Sequence, residues 1–119
     1  MKPPISTTKY YSNDGILHAD NCNILEQAAK DNKIALYSLS RQTYPGPRLP
    51  EDYLPELLSI GLWDCRRTQS WYLQPHRNEG IEMTYLAKGN LNFGVDNEEF
   101  QLSKGDITFT RPWQQHYLG

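Results

Sequence analysis

The chain has 119 residues, 12 basic and 14 acidic side chains, 38% apolar residues and a mean hydropathy of -0.72. This length fits one domain with a modest core, and no apolar run is long enough to cross a bilayer. The slight acidity and the absence of a Lys/Arg cluster argue against direct binding of nucleic acid. No signal segment opens the chain, and Cys22 and Cys65 are too few for a disulfide framework. We therefore expect a soluble cytoplasmic protein with two ordinary thiols.

The first thirty residues predict a loose arm followed by a short helix. Residues 1–19 carry no periodic apolar pattern. A helix is expected over residues 22–30, with Asp20 or Asn21 as its N-cap. Its apolar stripe consists of Ile24, Leu25, Ala28 and Ala29.

The next segment predicts two strands joined by a proline-rich connection. Residues 33–41 have the composition of a strand, whereas the prolines within residues 44–50 exclude a regular helix or a central strand. Residues 51–58 are expected to form a helical turn. After that turn, a half-buried strand is predicted from the alternation of Leu58, Ile60 and Leu62.

From residue 70 onward, apolar and polar residues alternate in short runs, which is the period of two that predicts β-strands. Asp96 and Asn97 tolerate the left-handed conformation of a tight hairpin. Gly105 and Asp106 form the next turn, which Asp106 is expected to cap, and Pro112 ends the strand that follows. Short strands at this spacing predict a β-sandwich or barrel.

Several side chains of types that commonly bind ligands or metals lie in the same region. His76, Asn78 and Glu82 occupy even positions, so all three would point to one face if the segment runs extended without a bulge. A buried Glu82 would need a cation, a donor network or water. With His116, it completes a set of two imidazoles and one carboxylate, which is the ligand type of non-haem iron. The amide of Asn78 weakens the case for a metal, because an amide is a poor ligand for such ions.

Two further side chains are candidates for ligand contacts. The planar guanidinium of Arg111 suits an anionic ligand, although an Arg at a sheet edge is also compatible with a simple solvated charge. The indole of Trp113 suits stacking on a sugar ring or another flat ligand, and equally suits a lid over the core. Gly89 and Gly105 fit turns that need a positive φ.

These residues form two motifs that resemble a known family. The segment from His76 to Gly89 reads H-x-N-x3-E-x6-G and resembles the first cupin motif, which has a second His at the position of Asn78. The segment from Gly105 to His116 resembles the second cupin motif, one residue shorter and without the glycine between Pro and His. This shortened form is similar to the N-terminal sensor domains of AraC-type transcriptional regulators, and residues 14–67 look like the lead-in of one branch of them.

The resemblance implies a fold and a domain division. The fold is mainly β, a cupin barrel of the double-stranded β-helix or jelly-roll type, incomplete at the C-terminus, with an N-terminal arm and one short helix. Residues 1–119 would form a single domain, in which residues 1–50 are the arm, helix and proline-rich lead-in and residues 51–119 are the barrel core. An open barrel would leave an edge that invites pairing with another chain.

The resemblance also implies a function. The domain would sense a small molecule such as a sugar, form a homodimer, and couple ligand binding to DNA binding by a C-terminal helix-turn-helix domain that the 119 residues do not include. No metal or other cofactor is expected, since these sensors commonly work without one. The ligand-binding residues would be His76, Asn78, Glu82, Arg111, Trp113 and His116.

Two other functions stay open at this stage. A stand-alone, metal-dependent cupin enzyme of the isomerase or dioxygenase type would use His76, Glu82 and His116 as metal ligands, provided that they converge on one ion. A pure oligomerisation module would have a core filled with apolar side chains and would not be stabilised by any ligand.

Overall fold

The computed structural model describes residues 9–41 and 44–119. The loose arm predicted over residues 1–19 lies outside the described residues at positions 1–8. The prediction is wrong for residues 9–18, which form an antiparallel pair of strands. Within the described part, the chain divides into two compact units. The first contains residues 21–67, and the second contains residues 9–20 and 68–119. No helix among the described residues is long and apolar enough to cross a membrane.

The described residues are mainly β with one short helix, as predicted. The elements in chain order are β1 (Lys9–Ser12), β2 (Gly15–His18), α1 (Asn23–Lys30), β3 (Ala35–Ser40), β4 (Ser59–Asp64), β5 (Leu73–His76), β6 (Glu82–Tyr85), β7 (Asn90–Val95), β8 (Glu98–Ser103), β9 (Ile107–Thr110) and β10 (His116–Leu118).

The first unit contains α1 and the antiparallel pair of β3 and β4. Leu25 and Ala28 of the predicted apolar stripe are buried. The predicted N-cap was wrong, because Cys22 occupies that position in a left-handed conformation (φ 60°) and makes no side-chain cap hydrogen bond. Asn21 instead accepts a hydrogen bond from the backbone N–H of Asn23 at 3.0 Å, a local turn contact that precedes the helix.

The helical turn predicted over residues 51–58 is reduced to two isolated turns and no helix forms. The N–H of Tyr53 donates to the carbonyl of Pro50 at 3.2 Å, and the N–H of Leu57 donates to that of Leu54 at 2.9 Å. The guanidinium of Arg41 donates to the backbone carbonyl of Leu54 at 2.7 Å and to the carbonyls of Pro50 and Tyr53. These carbonyls have a hydrogen-bond partner without helix formation, so the loop can stay irregular.

The strand predicted around residues 58–62 forms as β4, but its apolar residues are not half-buried. Ile60 is 58% exposed and Leu62 is 64% exposed. In the antiparallel register, Tyr37 lies opposite Leu62 and Leu39 lies opposite Ile60. Apolar side chains of both strands therefore share one exposed face, because the alternation fixes which residues share a face and leaves open which face is covered.

The second unit holds the remaining strands. β5, β10, β7 and β8 form a four-stranded antiparallel sheet in that order, β6 pairs with β9, and β1 pairs with β2. The predicted turns are confirmed: Asp96 and Asn97 have φ of 48° and 67°, and Gly105 has φ of 95°. Asp106 caps its turn, since its Oδ2 accepts a hydrogen bond from the N–H of Ser103 at 2.8 Å.

The core of the second unit is small and includes polar groups. Its buried apolar side chains are Ala19, Leu73, Phe93, Leu102 and Leu118. Thr110 and His116 are also buried. Along β6, Glu82 and Thr84 are half-buried, whereas Met83 and Tyr85 are 62% and 60% exposed. The strand thus turns its carboxylate inward and its larger apolar side chains outward, which is the reverse of ordinary burial.

Candidate functional site

The candidate site forms where two of the three sheets of the second unit bring three strands together. His76 is the last residue of β5, Glu82 is the first residue of β6, and His116 is the first residue of β10. His116 lies opposite His76 in the pairing of β10 with β5.

His76, Asn78 and Glu82 do not lie on one extended segment, which was the condition for the prediction that they share a face. Residues 77–81 are not a strand, so His76 and Glu82 belong to different sheets, and Asn78 lies in the connection between them. The three side chains therefore meet through a change of sheet and not along one extended segment. The even spacing correctly predicted that these residues group together, but not how they do so. Side chains two residues apart share a face only while the backbone stays extended.

The four polar side chains form one connected group, which we call the polar cluster: His76, Asn78, Glu82 and His116. Oε2 of Glu82 accepts hydrogen bonds from Nδ2 of Asn78 at 3.0 Å and from Nε2 of His116 at 3.1 Å. The rings of His76 and His116 lie 4.2 Å apart between centroids, tilted by 58°. Possible metal-ligating atoms of His76, Glu82 and His116 all lie within 4.8 Å of one another.

Backbone carbonyls orient both imidazoles. Nδ1 of His116 lies 2.8 Å from the carbonyl oxygen of Gln114, and Nδ1 of His76 lies 2.7 Å from that of Gln74. Because a carbonyl oxygen only accepts, each Nδ1 carries a proton, and Nε2 is the nitrogen that faces the cluster. Nε2 of His116 faces Glu82, whereas Nε2 of His76 has no partner among the described residues.

The Glu82–His116 contact is an ion pair in a mostly buried place. The side chain of His116 is 0% exposed and that of Glu82 is 24% exposed. Burial by itself raises the pKa of Glu82, but the hydrogen bond and charge of His116, with smaller contributions from His76 and Asn78, outweigh it and lower that pKa. Burial likewise lowers the pKa of His116, and the hydrogen bond and charge of Glu82 outweigh it and raise that pKa. Each group therefore holds the other in its charged form.

Asn78 leaves one buried acceptor without a partner. Its Nδ2 must face Glu82, because the carboxylate accepts and does not donate, so Oδ1 points elsewhere. Oδ1 is buried and has no hydrogen-bond partner among the described residues. A buried polar group without a partner costs about 1–3 kcal/mol. A donor or a cation at this position would remove that cost.

The donor set also fits a transition-metal ion. Two imidazole nitrogens and one carboxylate suit zinc or iron, and a carbonyl bonded to Nδ1–H is the usual support of a metal-binding His. His76, Glu82 and His116 would hold such an ion. Oδ1 of Asn78 would be a weaker metal ligand, as the sequence indicated, but it makes no hydrogen bond to the described residues.

The side chains of Arg111 and Trp113 do not join the polar cluster, and none of the cluster's side chains lines the cleft in which they lie. These two residues line a cleft of about 300 Å³ with Arg77, Asp96, Pro112 and Gln114, which we call the arginine cleft. Trp113 has φ of 67°, its N–H donates to the carbonyl of Asn78 at 2.8 Å, and its carbonyl accepts from Arg77 at 2.7 Å.

Sequence reasoning missed Arg77 as a site residue. Its position directly after His76 was the only available signal, and neighbours along an extended chain point to opposite faces. The structure brings its guanidinium to residues 113 and 114 through the turn after β9.

The strand-rich C-terminal part of the chain also matches the model of a known family. Residues 68–119, somewhat less than half of the chain, match the family model described as the cupin domain. No curated protein and no solved structure matches the chain. The matched residues include both motifs and every member of the polar cluster. Residues 68–119 thus carry a cupin domain, mainly β and consistent with a jelly-roll-type fold.

Proposed function

We propose that this cupin domain is the small-molecule-sensing module of an AraC-type transcriptional regulator and that the polar cluster binds the ligand. The observation that carries the proposal is the buried Oδ1 of Asn78, which lacks a partner beside a Glu82 whose Oε2 already accepts two hydrogen bonds. Such an orphan acceptor inside a packed domain is rare and calls for a partner.

The free positions of the cluster suit a ligand that donates hydrogen bonds. Nε2 of His76 and Oδ1 of Asn78 both accept, and neither has a partner among the described residues. Hydroxyl groups donate to such acceptors, so a sugar or another polyol is the class of ligand that fits best. Glu82, paired with His116, would contribute to ligand binding by making the site more polar.

Ligand binding to the folded chain is tested by thermal unfolding in the presence of sugars and other polyols. A ligand that binds only the folded state raises the melting temperature. We expect Asn78→Ala to abolish the increase, because it removes the orphan acceptor. Asn92→Ala is the matched control, since Asn92 is exposed on β7. An equal increase in Asn78→Ala would contradict the assignment of the site.

The regulatory part of the proposal requires a second copy of the chain. β6 and β9 present one apolar exposed face, with Met83 opposite Phe109 and Tyr85 opposite Ile107. Tyr85 is 60% and Phe109 is 67% exposed, which leaves about 100–150 Å² on each ring. With its neighbours, the face offers on the order of 500–600 Å², approaching the roughly 800 Å² per partner of a standard interface. We propose that dimerisation uses this face and that DNA is bound by a separate domain.

A metal-dependent cupin enzyme is the second candidate. It is favoured by the approach of His76, Glu82 and His116 within 4.8 Å of one another. A bound ion would supply Lewis-acid or oxygen-activating chemistry at this site. Elemental analysis of the purified chain tests it, with His76→Ala as the variant and His18→Ala as the control, since His18 is exposed on β2. Stoichiometric metal that disappears only in His76→Ala would establish this candidate; metal-free protein would remove it.

A further inference from the structure

We infer that the arginine cleft binds the carboxylate of a small, singly charged organic acid. The cleft lies at the turn between β9 and β10 and is lined by Arg77, Asp96, Arg111, Pro112, Trp113 and Gln114. This inference goes beyond the proposed function, because no side chain of the polar cluster lines the cleft and the polar cluster need not bind anything for it to hold.

The cleft contains guanidinium donors that no protein group uses. Nη1 of Arg77 donates a hydrogen bond to the carbonyl oxygen of Trp113 at 2.7 Å. Because a guanidinium has five N–H donors, the others remain available to a ligand. The guanidinium of Arg111 makes no hydrogen bond or ion pair within residues 9–41 and 44–119. Planar forks of this kind match a carboxylate in bidentate geometry.

The backbone at the base of the cleft is held in place. The N–H of Arg111 donates to Oε1 of Gln114 at 3.1 Å, and the N–H of Gln114 donates to the carbonyl of Arg111 at 3.2 Å. Nε2 of Gln114 in turn donates to Oδ2 of Asp96 at 2.5 Å. Arg111 therefore extends from a fixed turn, and the turn itself costs nothing further to order when a ligand binds.

The charge of the cleft selects a monoanion. Two guanidinium groups face one carboxylate, that of Asp96, so the lining carries a positive excess although the whole chain has a net charge of -2. One negative charge on a ligand neutralises this excess. A doubly charged phosphate would place additional negative charge near Asp96, where like charges repel.

The remaining wall of the cleft is apolar and strained. Trp113 adopts φ of 67°, a conformation that costs a bulky residue about 1–3 kcal/mol and that concentrates at ligand-binding sites. Its backbone N–H donates to the carbonyl of Asn78, its carbonyl accepts from the Arg77 side chain, and Tyr10 stacks on its ring with centroids 5.5 Å apart. The indole and Pro112 thereby line a cleft of about 300 Å³, at the lower end of small-molecule sites. An acid of the size of benzoate fits this combination.

A titration followed by NMR tests the inference with two probes of equal shape. Benzoate and benzamide are added separately to the full ¹⁵N-labelled chain, and backbone amide shifts are measured. We expect benzoate to shift the amides of residues 77, 111, 113 and 114 in a saturable manner. We expect benzamide to bind at least tenfold more weakly, because it has the same shape but no charge, and an NH2 donor replaces one acceptor oxygen.

Substitutions of Arg111 test whether benzoate binds in the arginine cleft. Arg111→Gln should weaken benzoate binding at least tenfold, and Arg111→Lys should restore only part of it, since Lys keeps the charge and loses the fork. Arg66→Gln is the matched control, because Arg66 is exposed and belongs to the other unit. Unchanged shifts elsewhere in the spectrum show that each variant is folded.

Equal affinities for benzoate and benzamide, or full benzoate affinity in Arg111→Gln, would overturn the inference. Tighter binding of inorganic phosphate than of benzoate would overturn the selection for a monoanion. Failure here is distinguishable from failure of the proposed function, because stabilisation by sugars through Asn78 does not involve Arg111.

Discussion

Replacing Glu82 by Gln tests whether the ion pair with His116 stabilises the cupin domain. The substitution keeps the shape and removes the charge from an oxygen that accepts bonds of 3.0 and 3.1 Å from Asn78 and His116. A hydrogen bond to a charged group contributes about 1.5–3 kcal/mol, and a neutral one about 0.5–1.5 kcal/mol. Two bonds thus lose about 2 kcal/mol, and the easier burial of an amide returns part of it.

We therefore expect the free energy of unfolding to fall by about 1–2 kcal/mol, which lowers the melting temperature by roughly 5–15 °C in a unit of this size. The assay is thermal unfolding followed by circular dichroism. Glu98→Gln is the control, since Glu98 is exposed on β8.

The destabilisation caused by Glu82→Gln should depend on pH, and the pKa shifts of Glu82 and His116 predict the pH range in which it is largest. The pKa of Glu82 is lowered from 4.5, so its contribution is present above that value and is lost as pH falls through the lowered pKa. The pKa of His116 is raised from 6.5, so its contribution is present below that value and is lost as pH rises through the raised pKa. The destabilisation should be largest between pH 4.5 and 6.5. A variant that melts at or above the wild-type temperature at pH 5.5, or a difference that grows in alkali, would refute the reasoning.

Two further substitutions test packing and assembly. Gly94→Ala should lower stability by about 1–3 kcal/mol through overpacking, because the added Cβ would lie 1.7 Å from Cε1 of Tyr117. Gly80→Ala, whose Cβ meets nothing within 4 Å, is its control; equal denaturant midpoints for the two would show that this contact is absent. Phe109→Glu should shift the chain from dimer to monomer in light scattering, since it places a charge on the exposed face of β6 and β9. Gln101→Glu on β8 should leave the mass unchanged, and a Phe109→Glu dimer as tight as the wild type would exclude this face.

The local structure of the cupin domain could be predicted because its signals are local. Alternation located the strands, and Asp96, Asn97 and Gly105 marked turns that need a positive φ. The grouping of His76, Glu82 and His116 also followed from residue type and from the resemblance.

What could not be predicted depends on contacts distant in sequence. Arg41 supplies donors to carbonyls 9 to 16 residues away, which no local pattern around residues 51–58 indicates. The exposure of Ile60 and Leu62 depends on what lies against the β3–β4 face. The alternation of apolar and polar residues does not predict which element, if any, covers that face. Arg77 joins the arginine cleft through a bond to a residue 36 positions away.

The most direct test of the central claim is thermal unfolding of chelator-treated protein with and without small polyols, in the wild type and in Asn78→Ala. At about 100 times its Kd, a ligand adds about 2.7 kcal/mol, or roughly 10–20 °C in a unit of this size. We predict an increase of this kind for at least one polyol in the metal-free wild type and none in Asn78→Ala. An increase that occurs only when a transition metal is restored would contradict it and would favour the metal-dependent enzyme.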